Sequence, residues 1–157
     1  MAALAIIALG LGAVAHAAVV RPAPNFGLQG TPQSLRSFKG QTVVLLIARD
    51  AREKHFRTLV YRLRKMYGQF ATERVIFVAA LEYGPQTVNS DIPFALAANP
   101  AQVAQDYGVH GTFGVAVIGV DGNLDLLTER LVAAERVRDM IFNNYEIQAA
   151  GRKAIGS

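Results

Sequence analysis

The sequence contains no cysteine and no tryptophan, and only 18% of its 157 residues are charged. Without a thiol, the chain can supply from its own residues no thiolate nucleophile, no disulfide and no cysteine-held zinc or iron–sulfur centre. Histidine is scarce as well. His16, His55 and His110 are the whole complement and fall in no HxH, HExxH or EF-hand spacing, so no metal site is expected. No Walker sequence occurs. The glycines Gly108, Gly111, Gly114 and Gly119 flank an apolar run instead of joining a strand to a helix, as a dinucleotide loop must. Turn and packing roles are expected of them, and no cofactor. The formal net charge is +4, with the excess gathered in one helical stretch and not in a basic tail or repeat, so nucleic acid is not the expected partner.

Charge is also missing from the first twenty residues, where His16 is the only polar side chain. One reading is a cleaved secretory signal, with Leu4 to Val14 as its apolar centre and Ala15-His16-Ala17 ahead of cleavage at Ala18. Another is a retained membrane anchor, since about 20 apolar helical residues at roughly 1.5 Å each just span a hydrocarbon core. A third is a buried helix of the domain. No Lys or Arg near Met1 supplies the positive flank that usually orients an export signal. Either export reading places the protein in the periplasm or at the outer face of the inner membrane. Small domains there often rely on disulfides. This one must rest on its core, for which 157 residues at 52% hydrophobic content suffice.

What is present reads as one α/β domain. Residues 21–25 form a linker holding Pro22 and Pro24, the domain covers 26–147, and 148–157 is a flexible tail. A small hairpin is expected over Phe26 to Leu35 around Gly30 and Pro32. The continuous run Thr42 to Ala48 has no polar alternation, as in a central strand covered on both faces. From Arg52 to Phe70 the period becomes helical, with Phe56, Leu59, Val60, Leu63, Met66, Tyr67 and Phe70 on one face. Arg74 to Ala80 is a second buried strand, and the two form a parallel crossover. A long connection follows, with an extra helical turn expected at Phe94 to Ala98. Next comes a short helix opened by Asn99-Pro100 and stopped by Gly108. Phe113 to Val120, the Asp121-Gly122 turn and Asn123 to Leu127 make a hairpin. A last helix is expected over Ala133 to Asn143.

This order resembles the thioredoxin fold, a central mixed sheet flanked by helices, here preceded by the apolar export or anchor segment. Ala23-Pro24-Asn25-Phe26 with Leu28, then Ser34 to Gly40, then Val43 to Ile47, resembles the opening of peroxiredoxins and thiol–disulfide oxidoreductases. Tyr107 to Phe113 followed by Asp121-Gly122 resembles the segment in which those proteins carry a cis-proline before their hairpin. The stretch from Tyr107 to the final helix also resembles an uncharacterised thioredoxin-like family of bacterial exported proteins, which implies no activity. The departures from the redox families are specific. Arg49-Asp50-Ala51-Arg52-Glu53-Lys54-His55-Phe56 stands where they carry their reactive cysteines, and Phe113 stands at the cis-proline. A cis bond before a non-proline residue costs about 2.5–4 kcal/mol, so a trans peptide is expected there.

The candidate sites follow from these departures. Arg49, Arg52, Lys54, Arg57, Arg62, Arg64 and Lys65 outnumber Asp50 and Glu53 on and before the first long helix. Guanidinium forks suit carboxylates, phosphates or anionic headgroups, while the same charges equally form the solvated face of an amphipathic helix. Arg49, Arg52, His55 and Arg57 are therefore candidate binding residues, joined by Tyr107 and Phe113 if those aromatics form a surface at the cis-proline position; the other reading packs both in the core. His55 beside Asp50 and Glu53 is the one acid–base set the chain offers, with no nucleophile specified. The expectation is a non-catalytic binding or accessory protein of the bacterial envelope. Its partner would be a protein of the envelope or of a membrane complex, with an anionic membrane surface as a second candidate. A small-ligand or anion carrier and an enzyme of non-thiol chemistry are the alternatives.

Overall fold

The computed structural model describes residues 20–155, so the expected export segment lies outside the described residues except for Val20. The run Thr42–Ala48 is a strand, β1, buried along its whole length, as its unbroken apolar side chains require. It is the middle strand of a five-stranded sheet. Val75–Leu81 (β2) runs parallel beside it, with Thr42 opposite Val75 and Ala48 opposite Leu81. Phe113–Ile118 (β4) is antiparallel on the other side, with Ala48 opposite Phe113. Phe94–Leu96 (β3) and Leu124–Thr128 (β5) form the two edges, giving the order β3-β2-β1-β4-β5.

Alternation along β1 divides the core in two. Val44 and Leu46 face Lys54–Phe70 (α1) and Ala134–Ile155 (α3), where Phe56, Leu59, Leu63, Phe70, Val137 and Ile141 pack. Val43, Leu45 and Ile47 face Pro100–Asp106 (α2) together with Phe26, Leu28 and Leu35. The helical stripe read from the sequence is the buried stripe of α1, except that Tyr67 sits half-buried at its margin.

Four local expectations change. Phe94–Leu96 is a strand and not a helical turn, because it is hydrogen-bonded on both sides. Phe77–Ala79 pair with it in parallel register, and on the other side Gln29 N–H donates to the Leu96 carbonyl. The Phe94 ring meets the Phe77 ring at 5.7 Å between centroids, an edge contact that no local pattern announces. Asn99 precedes α2 but does not cap it with its side chain; its φ of 50° sets the entry angle instead. Residues 21–25 are strapped to the β4–β5 hairpin. Pro22 bridges Asn123, Ala23 N–H donates to the Gly122 carbonyl and Leu124 N–H to that of Arg21. Finally, α3 runs on to Ile155, past Asn143 and through the stretch expected to be a tail. Ala149 and Ala150 favour helix, and Arg152 and Lys153 in the last turn complement its dipole, which together outweigh Gly151.

The hairpin itself turns as expected. Gly122, at φ 83°, takes a backbone conformation that a side chain would strain. Asn144, buried on α3, locks the hairpin to the helix. Its amide oxygen accepts from Val120 N–H at 3.0 Å, and its NH2 donates to the Asp125 carboxylate at 2.8 Å and the Met140 carbonyl at 3.0 Å.

Candidate functional site

Parallel β1 and β2 end at the same edge of the sheet, and antiparallel β4 begins there, so three loops converge on one corner. Arg49 stitches them together: its N–H donates to the Thr112 carbonyl at 3.0 Å, and its carbonyl accepts from Tyr83 N–H at 2.8 Å. Its guanidinium lies 6.0 Å from the centre of the Tyr83 ring. This corner holds the segment Arg49 to Phe56.

Every carboxylate in that segment has a backbone task. Asp50 accepts from Arg52 N–H at 2.6 Å. Glu53 is the N-cap of α1 and accepts from Phe56 N–H at 2.7 Å, which places its charge on the positive pole of the helix. Its other oxygen lies 3.5 Å from the Thr112 hydroxyl. His55 is exposed, and its ring stands edge-on to Phe113 at 5.8 Å. Among the described residues no hydrogen bond joins His55 to Asp50 or Glu53, so the acid–base set is not assembled. The peptide before Phe113 is trans, as expected.

Arg52 and Arg57 are exposed and line a groove of about 750 Å³ between α1 and residues 85–89. Arg49 instead lines a separate cavity of about 360 Å³, with Glu82, Gln105, His110 and Thr112. Tyr107 and Phe113 form no common surface. Phe113 is 2% exposed in the core beneath α1, and Tyr107 is 1% exposed in the core on the opposite face of the sheet. The Tyr107 hydroxyl donates to the Pro24 carbonyl at 2.8 Å, and burial, with the Asp106 charge adding to it, raises its pKa above the ordinary tyrosine range. It acts as a neutral donor that fastens residues 21–25.

Sequence reading missed Glu129. Its carboxylate accepts from the backbone N–H groups of His110 and Gly111 at 2.7 and 2.6 Å, and those two bonds hold its pKa below the usual glutamate range. It fixes the loop that leads into β4. The only signal lay in the hairpin register: Thr128 opposite Val115 carries the next residue back toward that loop. Two of the four glycines serve packing. A Cβ on Gly114 would lie 2.6 Å from Val109 Cγ2, and one on Gly119 would lie 2.9 Å from the Asn144 and Asp125 oxygens.

No protein-family model and no curated protein matches the chain. Solved structures do. A thiol:disulfide interchange protein from Bacteroides sp. superposes with TM-score 0.63 at 17% identity, over 78% of this chain and 89% of that one. The pneumococcal exposed lipoprotein thioredoxin Etrx1 of Streptococcus pneumoniae gives 0.57 at 14% identity, over 76% and 99%. Thioredoxin peroxidase I of Plasmodium yoelii gives 0.58 at 17% identity, over 85% and 92%. The chain therefore has the thioredoxin-like fold found in thiol:disulfide oxidoreductases and peroxiredoxins, built without a cysteine.

Proposed function

We propose that the protein is a non-catalytic, thioredoxin-like binding or accessory protein of the bacterial cell envelope, acting as a docking subunit for another envelope protein. The observation that carries this reading is the use made of the reactive corner. With no cysteine in the chain, Glu53 caps α1 there, Thr112 faces Glu53, and His55 rests on Phe113. These residues hold three loops in one geometry and leave no free acid–base pair. A rigid loop corner on a stable sheet is the usual seat of recognition. The uncharged stretch before Arg21 supports export, and one similar structure is described as an exposed lipoprotein. Among the described residues no helix is long and apolar enough to cross a membrane.

The test is recovery of the tagged full chain from membranes of the source cell after mild crosslinking, with N-terminal sequencing of the recovered protein. A partner held in fixed ratio, and a chain starting either at Ala18 or at Met1, is the expected result. Free monomer alone refutes the accessory role. The anion-carrier alternative has the cavity beside Arg49, but Glu82 lines the same space and opposes the guanidinium.

A further inference from the structure

We propose that the groove between α1 and residues 85–89 is the docking site for an acidic, extended segment of the partner protein; the inference rests on the accessory reading and names its contact. The groove measures about 750 Å³. One wall is a stripe of α1, Lys54, Arg57, Tyr61 and Arg64, spaced three or four residues apart and thus aligned along one side of the helix. The other wall is Pro85 to Asn89, where Val88 packs against the core. Val60 and Phe56 supply an apolar floor.

Charge selects the occupant. Four cations, Arg52, Lys54, Arg57 and Arg64, line the groove against the single carboxylate of Asp50, which Arg52 N–H already engages. Arg64 is paired with Asp91 at 3.0 Å, whereas Arg52, Lys54 and Arg57 form no ion pair with any described residue. Three unpaired cations above an apolar floor complement aspartate or glutamate alternating with aliphatic side chains. Shape favours a peptide over a bilayer, because the apolar floor of Phe56 and Val60 is buried between the two walls. From Lys54 to Arg64 the helix covers about 15 Å, the reach of roughly five extended residues.

The experiment measures fluorescence anisotropy of a labelled synthetic peptide of alternating glutamate and leucine on the full chain. Arg52→Glu with Arg57→Glu is expected to weaken binding by about tenfold or more, since each loses an attraction and adds a repulsion. Tyr61→Ala, at an exposed position, is expected to weaken it by about threefold, a loss of apolar contact without a change of charge. Arg130→Glu with Arg136→Glu, which carries the same charge change on residues that do not line the groove, is expected to stay within about twofold, since it removes no contact with the peptide. Melting curves confirm that each variant is folded. Equal weakening by the two double variants, or no binding at all, overturns the proposal. It is also overturned if the groove variants abolish sedimentation with phosphatidylglycerol vesicles while leaving peptide affinity unchanged, for then the surface is a lipid site.

A photo-crosslinker at position 61 and another at position 112 separate this proposal from the accessory reading. Capture at 61 of a segment rich in aspartate and glutamate supports the groove, and capture there of a neutral or basic segment refutes it. Partner capture at 112 alone refutes the groove and keeps the accessory role. Capture at neither position refutes both.

Discussion

Gly114 offers the most quantitative check on the packing of this fold. It lies in β4 opposite Ile47, and its missing side chain leaves room for Val109, whose Cγ2 and Cγ1 would stand 2.6 and 3.1 Å from an added Cβ. Comfortable carbon–carbon separation is about 3.5–4.0 Å. Gly114→Ala therefore forces Val109 or the α2 loop outward, an overpacking cost of about 1–3 kcal/mol. Against this, an alanine restricts the unfolded chain and recovers about 0.4–1 kcal/mol, so the net loss should be about 1–2 kcal/mol. Val109→Ala removes two methyl groups from a side chain 6% exposed and should cost about 1–3 kcal/mol. In the double variant the new methyl enters the space vacated by the old ones. Its destabilisation should fall short of the sum of the single losses by about 1–2 kcal/mol, the signature of directly coupled residues. Urea unfolding followed by far-ultraviolet circular dichroism measures all four corners of the cycle, with an unchanged m-value confirming that only stability moved. Strict additivity, or a Gly114→Ala variant more stable than the parent, would refute the close approach of Val109 to β4.

Other outcomes follow from the same structure. Asn144→Leu leaves the Val120 N–H and the Asp125 carboxylate without their partner and should cost about 2–4 kcal/mol, read from urea midpoints; a loss below about 0.5 kcal/mol would show that water replaces the amide at no cost. Tyr107→Phe removes the hydroxyl bond to Pro24, a loss of about 1 kcal/mol, and should speed hydrogen exchange at the Ala23 and Leu124 amides that close the strap, with unchanged exchange counting against it. Glu129 gives a pH signature. Its folded-state pKa is depressed, so its contribution is fully present above the pKa of an unfolded-chain glutamate and is lost as pH falls through the lower folded value. The gap in melting temperature between the parent and Glu129→Gln should therefore close on acidification from neutral pH, and a gap that widens would contradict the assignment.

The parts of the fold legible in the sequence are those in which one segment decides its own state. Thr42 to Ala48 has no polar side to turn outward, so it had to be a central strand, and the spacing of Phe56, Leu59, Leu63 and Phe70 had to be helical. Gly122 and Gly108 punctuate turns that need φ above zero, and both take such values. The misreadings arise where distant residues decide. Phe94-Ala95-Leu96 is extended because Phe77–Ala79 and Gln29 offer it backbone partners, and residues 21–25 are fastened by Asn123, Gly122 and Tyr107. A single-sequence pattern carries no information about those pairings. The candidate site divides in the same way. Arg49, Arg52, His55 and Arg57 are exposed, whereas for Tyr107 and Phe113 the core-packing reading holds, and which face of the sheet encloses each is decided by distant residues.

The missing cysteine takes on a structural meaning once these pieces are joined. A helix N-terminus carries unsatisfied amides and a partial positive charge, which in a redox protein of this fold stabilises a thiolate. Here the free amide and the field at the start of α1 are taken up by Glu53, whose carboxylate accepts from Phe56 N–H. The electrostatic feature that would activate a nucleophile thus holds α1 in place, and the His55 ring stands edge-on to Phe113 in the core beneath the helix. The cations Arg52, Lys54 and Arg57, which form no ion pair with any described residue, flank this cap, Arg52 just before it and Lys54 and Arg57 at the start of α1.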